Sequence, residues 1–131
     1  YRTYHGSAMS PTIQRASIAA WNDEAHVQAN RALYRRKFEQ VTPLLSDVLE
    51  VALPDAGFYL WAGVPGGDDV DFALQLLAQY NVAVLPGSYL ARTAHGVNPG
   101  HGRIRMALVA EVEECVEAAQ RIREFVLKHR A

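Results

Sequence analysis

Apolar residues recur at helical spacing in the first third of the chain. Ser10 followed by Pro11 is typical of a helix start, because serine caps free N–H groups and proline at the first helical position wastes no donor. After Asn22 and Asp23 a longer apolar stripe runs to residue 48. We expect a kink or interruption near Pro43, since proline removes a backbone hydrogen bond. The pattern therefore predicts two helices before the first strand.

The pattern then changes to short runs of residues that favour strands. Residues 51–53 and 58–61 flank a Pro-x-x-Gly turn, which predicts a hairpin. Residues 82–85 form an unbroken apolar run, as expected of a strand buried on both faces. Residues 103–109 are the last predicted strand. The sequence thus indicates a sheet of about four strands.

Two further helices complete the predicted order. Asp68 and Asp69 open one of them, and Asn81 follows it where a left-handed residue is often needed. Its predicted buried stripe consists of Val70, Ala73, Leu74, Leu77 and Tyr80. The other helix covers residues 111–129. We therefore predict an α/β fold, a two-layer sandwich with a small, mostly antiparallel or mixed sheet and helices packed on it.

Composition narrows the class of protein. The 131 residues are 50% hydrophobic and 21% charged, with a formal net charge of -1, which excludes a disordered tail and disfavours nucleic acid as a partner. The single cysteine, Cys115, cannot form an internal disulfide. We find no membrane-length apolar run and no signal-peptide pattern, so no membrane partner and a cytoplasmic location are expected.

Arg103 and Arg105 are the most informative residues. Positions two apart on a strand share a face, and the apolar Ala107 and Val109 continue that face, so we expect it to be partly buried farther along. A guanidinium at such an edge needs an anion. That anion is either a substrate carboxylate or an acidic side chain of this chain, and composition alone favours the second.

Other candidate motifs do not carry a function. Residues 100–102 precede a strand rather than a helix, so they do not fit a dinucleotide-binding loop. Asp68, Asp69 and Asp71 are best explained as helix-start acids rather than a calcium loop. His95 and His101 lack further metal ligands nearby, so no metal site is predicted.

The lysines and the cysteine limit the chemistry further. Cys115 lies on an apolar stripe and is expected to be a buried, inert thiol. Lys37 and Lys128 lie on charged helix faces, without the desolvated pocket that an imine-forming lysine requires. We therefore predict no catalytic residue within this chain.

Four stretches resemble the C-terminal part of class I/II aminotransferases, which are pyridoxal-phosphate enzymes of fold type I. They are residues 1–11, 58–61, 84–88 and 102–109. The resemblance covers essentially the whole chain and extends to bacterial N-succinyldiaminopimelate aminotransferases of lysine and diaminopimelate synthesis. It implies a leader over residues 1–10, arriving from a missing large domain, and a small domain over residues 11–131.

The resemblance also implies roles for particular residues. An arginine in the last strand of the family's small domain grips the substrate α-carboxylate, and that strand aligns it with Arg105, with Arg103 as the alternative. Residues 5–10 resemble a segment near the dimer interface. The implied partners are amino acid and 2-oxo acid substrates, the large domain and a second subunit of a homodimer. Pyridoxal 5'-phosphate is expected only in the full-length enzyme, because the Schiff-base lysine is absent here.

One alternative comes from a different class of function. The chain could be a stand-alone ligand-binding or dimerisation module with a small α/β fold. In that case Arg105 is expected to pair with an internal acid, and the apolar surface of the first two helices to be covered by self-association.

Overall fold

The computed structural model describes Gly6 and residues 8–129. The chain divides after Leu33 into two compact units. The leader predicted over residues 1–10 falls largely outside the described residues. Among those that are described, no helix has the length and apolar character needed to cross a membrane.

The first unit is helical. Helix α1, Pro11–Asn22, begins as predicted at Ser10, whose Oγ accepts the Ile13 N–H at 3.4 Å. No residue of α1 is buried. Helix α2, Glu24–Leu45, starts in this unit and continues into the second. Pro43 lies inside its last turn, so the predicted interruption is the end of the helix itself.

The second unit contains a three-stranded antiparallel sheet in the order β1, β3, β2. Strand β1 is Tyr59–Gly63, β2 is Leu85–Pro86 and β3 is Arg103–Ala107. The β2 to β3 pairing comprises only Leu85 opposite Arg105 and Pro86 opposite Ile104. The class of fold is as predicted, and β3 is its central strand.

The predicted number of strands was wrong, and the hairpin does not form. Residues 51–53 are not a strand, and only Glu50 makes an isolated bridge, to Gly63. The run 82–85 is not buried on both faces either, because Ala83 is exposed and Val84 half-buried. Only Leu85 of that run belongs to a strand. Strand propensity was present in both runs, but neighbouring strands to pair with were not.

The remaining helices are α3 at Asp69–Tyr80, α4 at Gly87–Leu90 and α5 at Val112–His129. Asp68 caps α3 by accepting the Asp71 N–H at 2.9 Å. Asn81 ends α3 in the left-handed region at φ 53°, as predicted. Both ends of α3 are set by a local hydrogen bond or backbone conformation, which explains why the sequence pattern located them.

Helices cover one face of the sheet and form its second layer. The inner face carries buried apolar side chains: Leu60, Ala62, Ile104 and Met106. They pack with α5 residues such as Ile122 and with Leu76 of α3. The stripe predicted for α3 was wrong in part: Ala73 is buried, but Leu74 and Leu77 are exposed while Phe72 and Leu76 are buried. Arg103 and Arg105 alternate with the buried residues of β3 and therefore lie on the opposite, outer face of the sheet.

Candidate functional site

Three side chains form a row across the outer face of the sheet. Arg105 on β3 lies opposite Trp61 of β1 and opposite Leu85 of β2. Cross-strand partners project to the same face, so the guanidinium stem is flanked by two apolar side chains. All three residues are half-buried. The sheet thus holds one cation between apolar neighbours.

The Arg105 guanidinium has no acidic partner within the described residues. The structure records neither a hydrogen bond nor an ion pair for it there, and the centroid of the Tyr59 ring is 5.7 Å from its Cζ. A cation over an aromatic face gains electrostatic attraction without using its N–H donors. The fork of donors is therefore available to a planar anion such as a carboxylate.

Arg103 is bound differently, although it lies on the same face. Its Nη2 is 3.1 Å from Oε1 of Glu50, with the two side chains 33% and 78% exposed. Glu50 is itself held by backbone hydrogen bonds to Gly63, at 2.8 and 3.2 Å. The interpretation of a guanidinium paired to an internal acid thus applies to Arg103 and not to Arg105.

The arginine face does not become buried farther along β3, contrary to the expectation from its apolar residues. Ala107 is exposed, and Val109 is 65% exposed. The apolar core packs against the opposite face, and both residues stay exposed within the described part of the second unit. Arg105 is therefore bordered by an open apolar surface.

A buried carboxylate joins the segments on either side of Arg105. Asp69, at the start of α3, is only 1% exposed. Its Oδ2 accepts the Ser88 N–H at 2.8 Å, while Oδ1 accepts the Ser88 hydroxyl at 2.8 Å and the Gly102 N–H at 3.0 Å. Ser88 follows β2, and Gly102 immediately precedes β3. Asp69 therefore connects both strands of that pairing to α3.

Asp69 is charged because its hydrogen bonds outweigh its burial. Burial alone would raise the pKa of this carboxyl, but the hydrogen bonds donated by Ser88 and Gly102 lower the pKa below its usual value. Asp69 lies at the helix start, as predicted, but its burial and its hydrogen bonds with Ser88 and Gly102 were not predicted. The available signal was that Asp68 already caps α3, which left a second acid without a local role.

Two glycines bring the same segments into close backbone contact. A Cβ at Gly87 would lie 2.3 Å from the Gly100 oxygen and 2.8 Å from the Arg103 oxygen. A Cβ at Gly100 would lie 2.1 Å from the Gly87 oxygen. Only glycine permits this approach, so the loop before β3 packs directly against the start of α4.

Neither lysine offers a free amine beside this face. The Lys37 side chain is 6% exposed, and its Nζ donates to the Leu108 oxygen at 3.0 Å. Lys128 is exposed in the last turn of α5. Cys115 is buried as predicted, and burial raises the pKa of its thiol. Within residues 8–129 and Gly6, no group of three potential metal ligands occurs.

Comparison with known proteins places the chain in a family. The model of the family "Aminotransferase class I and II" matches residues 2–122. The LL-diaminopimelate aminotransferase of Dehalococcoides mccartyi is 33% identical over 122 residues, which cover 91% of this chain and 30% of that enzyme. The chain thus spans about a third of the length of the curated relatives it matches.

Solved structures agree in fold. An aminotransferase from Neisseria meningitidis is 56% identical with a TM-score of 0.88, covering 96% of this chain and 32% of that one. A probable N-succinyldiaminopimelate aminotransferase from Thermus thermophilus is 37% identical with a TM-score of 0.66, covering 79% and 26%.

Proposed function

Because the chain belongs to the class I and II aminotransferases, we propose that it is part of an enzyme transferring amino groups between an amino acid and a 2-oxo acid, in which Arg105 binds the substrate carboxylate. One observation carries the assignment: Arg105 makes no hydrogen bond or ion pair with the described residues. Arg103, two residues away on the same face, is already paired with Glu50.

The chemistry of the substrates fits this cation. Amino acids and 2-oxo acids both carry a carboxylate beside the reacting carbon. The planar guanidinium donates two parallel N–H bonds to such a group, which fixes its orientation as well as its position. Trp61 and Leu85 are the cross-strand partners of Arg105 and share its face, and charge-assisted bonds are stronger in apolar surroundings of this kind. The role of this chain is therefore to orient substrate.

The described residues do not fit a site for pyridoxal phosphate, the cofactor expected of the full-length enzyme. Lys37 is engaged by backbone carbonyls, and Lys128 lies in solvent on α5. We therefore assign the Schiff-base lysine and the phosphate site to the rest of the full-length enzyme. The large domain and a second subunit of a homodimer are the corresponding partners.

For the substrates of the full-length enzyme, we propose an amino donor of the diaminopimelate type, with N-succinyldiaminopimelate as the first candidate, and 2-oxoglutarate as the amino acceptor. It is supported by the names of the Dehalococcoides and Thermus relatives. Both named substrates contain a carboxylate beside the amino group that is transferred, as Arg105 requires. Assay of the full-length enzyme with LL-diaminopimelate and with its N-succinyl derivative distinguishes the two donors.

Substitution of Arg105 tests the role of this chain. Charge-assisted hydrogen bonds contribute roughly 1.5–3 kcal/mol. In the full-length enzyme, Arg105→Ala should therefore lower kcat/KM about 10- to 150-fold, mainly through KM. Arg105→Lys keeps the charge but loses the fork, so it should restore only part of the loss.

Arg103→Ala is the matched control. It removes a surface ion pair of the kind that contributes about 0–1 kcal/mol, so its effect on KM should be small. Equal effects of the two alanine variants, or an unchanged KM in Arg105→Ala, would contradict the assignment. The isolated chain should show no lysine-linked absorbance when titrated with pyridoxal phosphate, and appearance of such a band would overturn the placement of the lysine elsewhere.

A further inference from the structure

The strand beside Arg105 is too short to hold its own register. Strand β2 contains only Leu85 and Pro86, and Pro86 has no N–H to donate. Its pairing with β3 therefore cannot be fixed by a ladder of backbone hydrogen bonds. The position of Leu85 against Arg105 must depend on contacts beyond the strand.

Asp69 supplies those contacts. Its carboxylate binds Ser88, three residues beyond Leu85, and Gly102, three residues before Arg105. One buried group thus fixes the segment leaving β2 and the segment entering β3. Among the titratable side chains described, that of His101 is recorded beside it, with Nδ1 at 3.7 Å and its side chain 71% exposed. Asp69 therefore acts mainly through backbone and hydroxyl donors.

We propose that Asp69 is a positioning residue for Arg105: it sets the place of the guanidinium by holding the ends of β2 and β3 together. This inference rests on the proposed function of Arg105 as the carboxylate-binding residue. A displacement of about 1 Å at a binding group can cost about 100-fold in rate, so a clamp near Arg105 affects turnover of carboxylate substrates directly.

Asp69→Asn removes the clamp with little change of volume. Its amide nitrogen would face the N–H of Ser88 or Gly102, which places two donors against each other. Asp71→Asn is the matched control, because Asp71 lies in the first turn of the same helix but is exposed. It removes the same charge without touching Ser88 or Gly102.

The experiment is a double-mutant cycle in the full-length enzyme. Values of kcat and KM for an amino acid substrate are measured for Asp69→Asn, Arg105→Ala and the double variant. Asp69→Asn alone should lower kcat/KM about 10- to 100-fold, mainly through KM, while Asp71→Asn should change it less than twofold. In the Arg105→Ala background Asp69→Asn should have little further effect, because the group it positions is gone.

Each outcome decides between the alternatives. If Asp69→Asn costs the same factor with and without Arg105, Asp69 has a structural role only and the inference is overturned. An unaltered KM in Asp69→Asn beside a raised KM in Arg105→Ala overturns the inference alone. An unaltered KM in Arg105→Ala overturns the proposed function itself.

A milder variant covers the case in which Asp69→Asn does not fold. Ser88→Ala removes one of the hydrogen bonds to Asp69 and keeps the backbone donors. It should raise KM by a smaller factor in the same direction, and this increase should also disappear in the Arg105→Ala background. An increase that persists there rejects the inference.

Discussion

The close contact between Gly87 and Gly100 gives a sharp prediction for Gly87→Ala. The new Cβ would lie 2.3 Å from the Gly100 oxygen, 2.7 Å from Cη2 of Trp61 and 2.8 Å from the Arg103 oxygen. Two of these three atoms belong to the backbone, which cannot rotate away. The Gly100 carbonyl must therefore retreat by roughly 1 Å to reach an ordinary contact distance, at an overpacking cost of about 1–3 kcal/mol.

The same movement should reach Arg105. The Gly100 oxygen accepts the Arg103 N–H at 3.2 Å, so displacing it shifts the start of β3. In the full-length enzyme, Gly87→Ala should raise KM for amino acid substrates and lower the urea midpoint of unfolding. Gly100→Ala approaches the same contact from the other side and should behave alike.

Gly66→Ala is the control for this prediction. Gly66 has φ +77° and open space around its Cβ position. Alanine there should therefore lower the free energy of unfolding only through the left-handed backbone conformation, by about 1–2 kcal/mol. It should lower the urea midpoint without changing KM. The reasoning is refuted if Gly87→Ala leaves both KM and the midpoint at their original values, or if Gly66→Ala raises KM as much.

Three further predictions concern pH, the thiol and a helix end. Since the folded pKa of Asp69 is lowered, its contribution to stability is present above the unfolded pKa of about 3.9 and is lost as pH falls through the folded value. The difference in free energy of unfolding between the original protein and Asp69→Asn, measured by denaturation, should thus shrink between roughly pH 5 and pH 3. A difference that widens in acid would contradict this. Burial raises the pKa of the Cys115 thiol, so mass spectrometry should find it alkylated slowly at neutral pH and rapidly in denaturant; rapid alkylation in the folded state would show that the thiol is exposed. Asn81→Gly should keep stability, whereas Asn81→Ala should lose about 1 kcal/mol at φ 53°, and equal stabilities would show that the left-handed end is unimportant.

The helix boundaries could be predicted because their causes are local. Ser10 caps α1, Asp68 caps α3 and Asn81 ends α3 in the left-handed region. The burial of Cys115 on the apolar stripe of α5 was also predicted correctly. In each case the responsible residues lie within a few positions of one another.

The errors arose where the cause is remote in sequence. Residues 51–53 favour a strand but have no neighbouring strand to pair with. In α3 the buried face contains Phe72 and Leu76 rather than Leu74 and Leu77. Helical periodicity could not distinguish these two faces, because both contain apolar residues. Burial of Asp69 likewise depends on donors that are 19 and 33 positions away.

Arg103 and Arg105 illustrate the same limit within the site. Alternation along the strand places both on one face and gives no means of ranking them. Glu50, 53 positions before Arg103, forms the ion pair that distinguishes them. The sequence pattern therefore identified both arginines as candidates. Only the tertiary structure shows that Arg103 is paired with Glu50 while Arg105 has no ion pair among the described residues.

The brevity of β2 also bears on solubility during expression and storage. An edge strand exposes unpaired N–H and C=O groups that can recruit another chain and start aggregation. Here the edge is two residues long, and one of them is Pro86, which offers no donor to an incoming strand. This side of the sheet is accordingly protected from edge-to-edge association, without the charged side chains that many proteins use for that purpose.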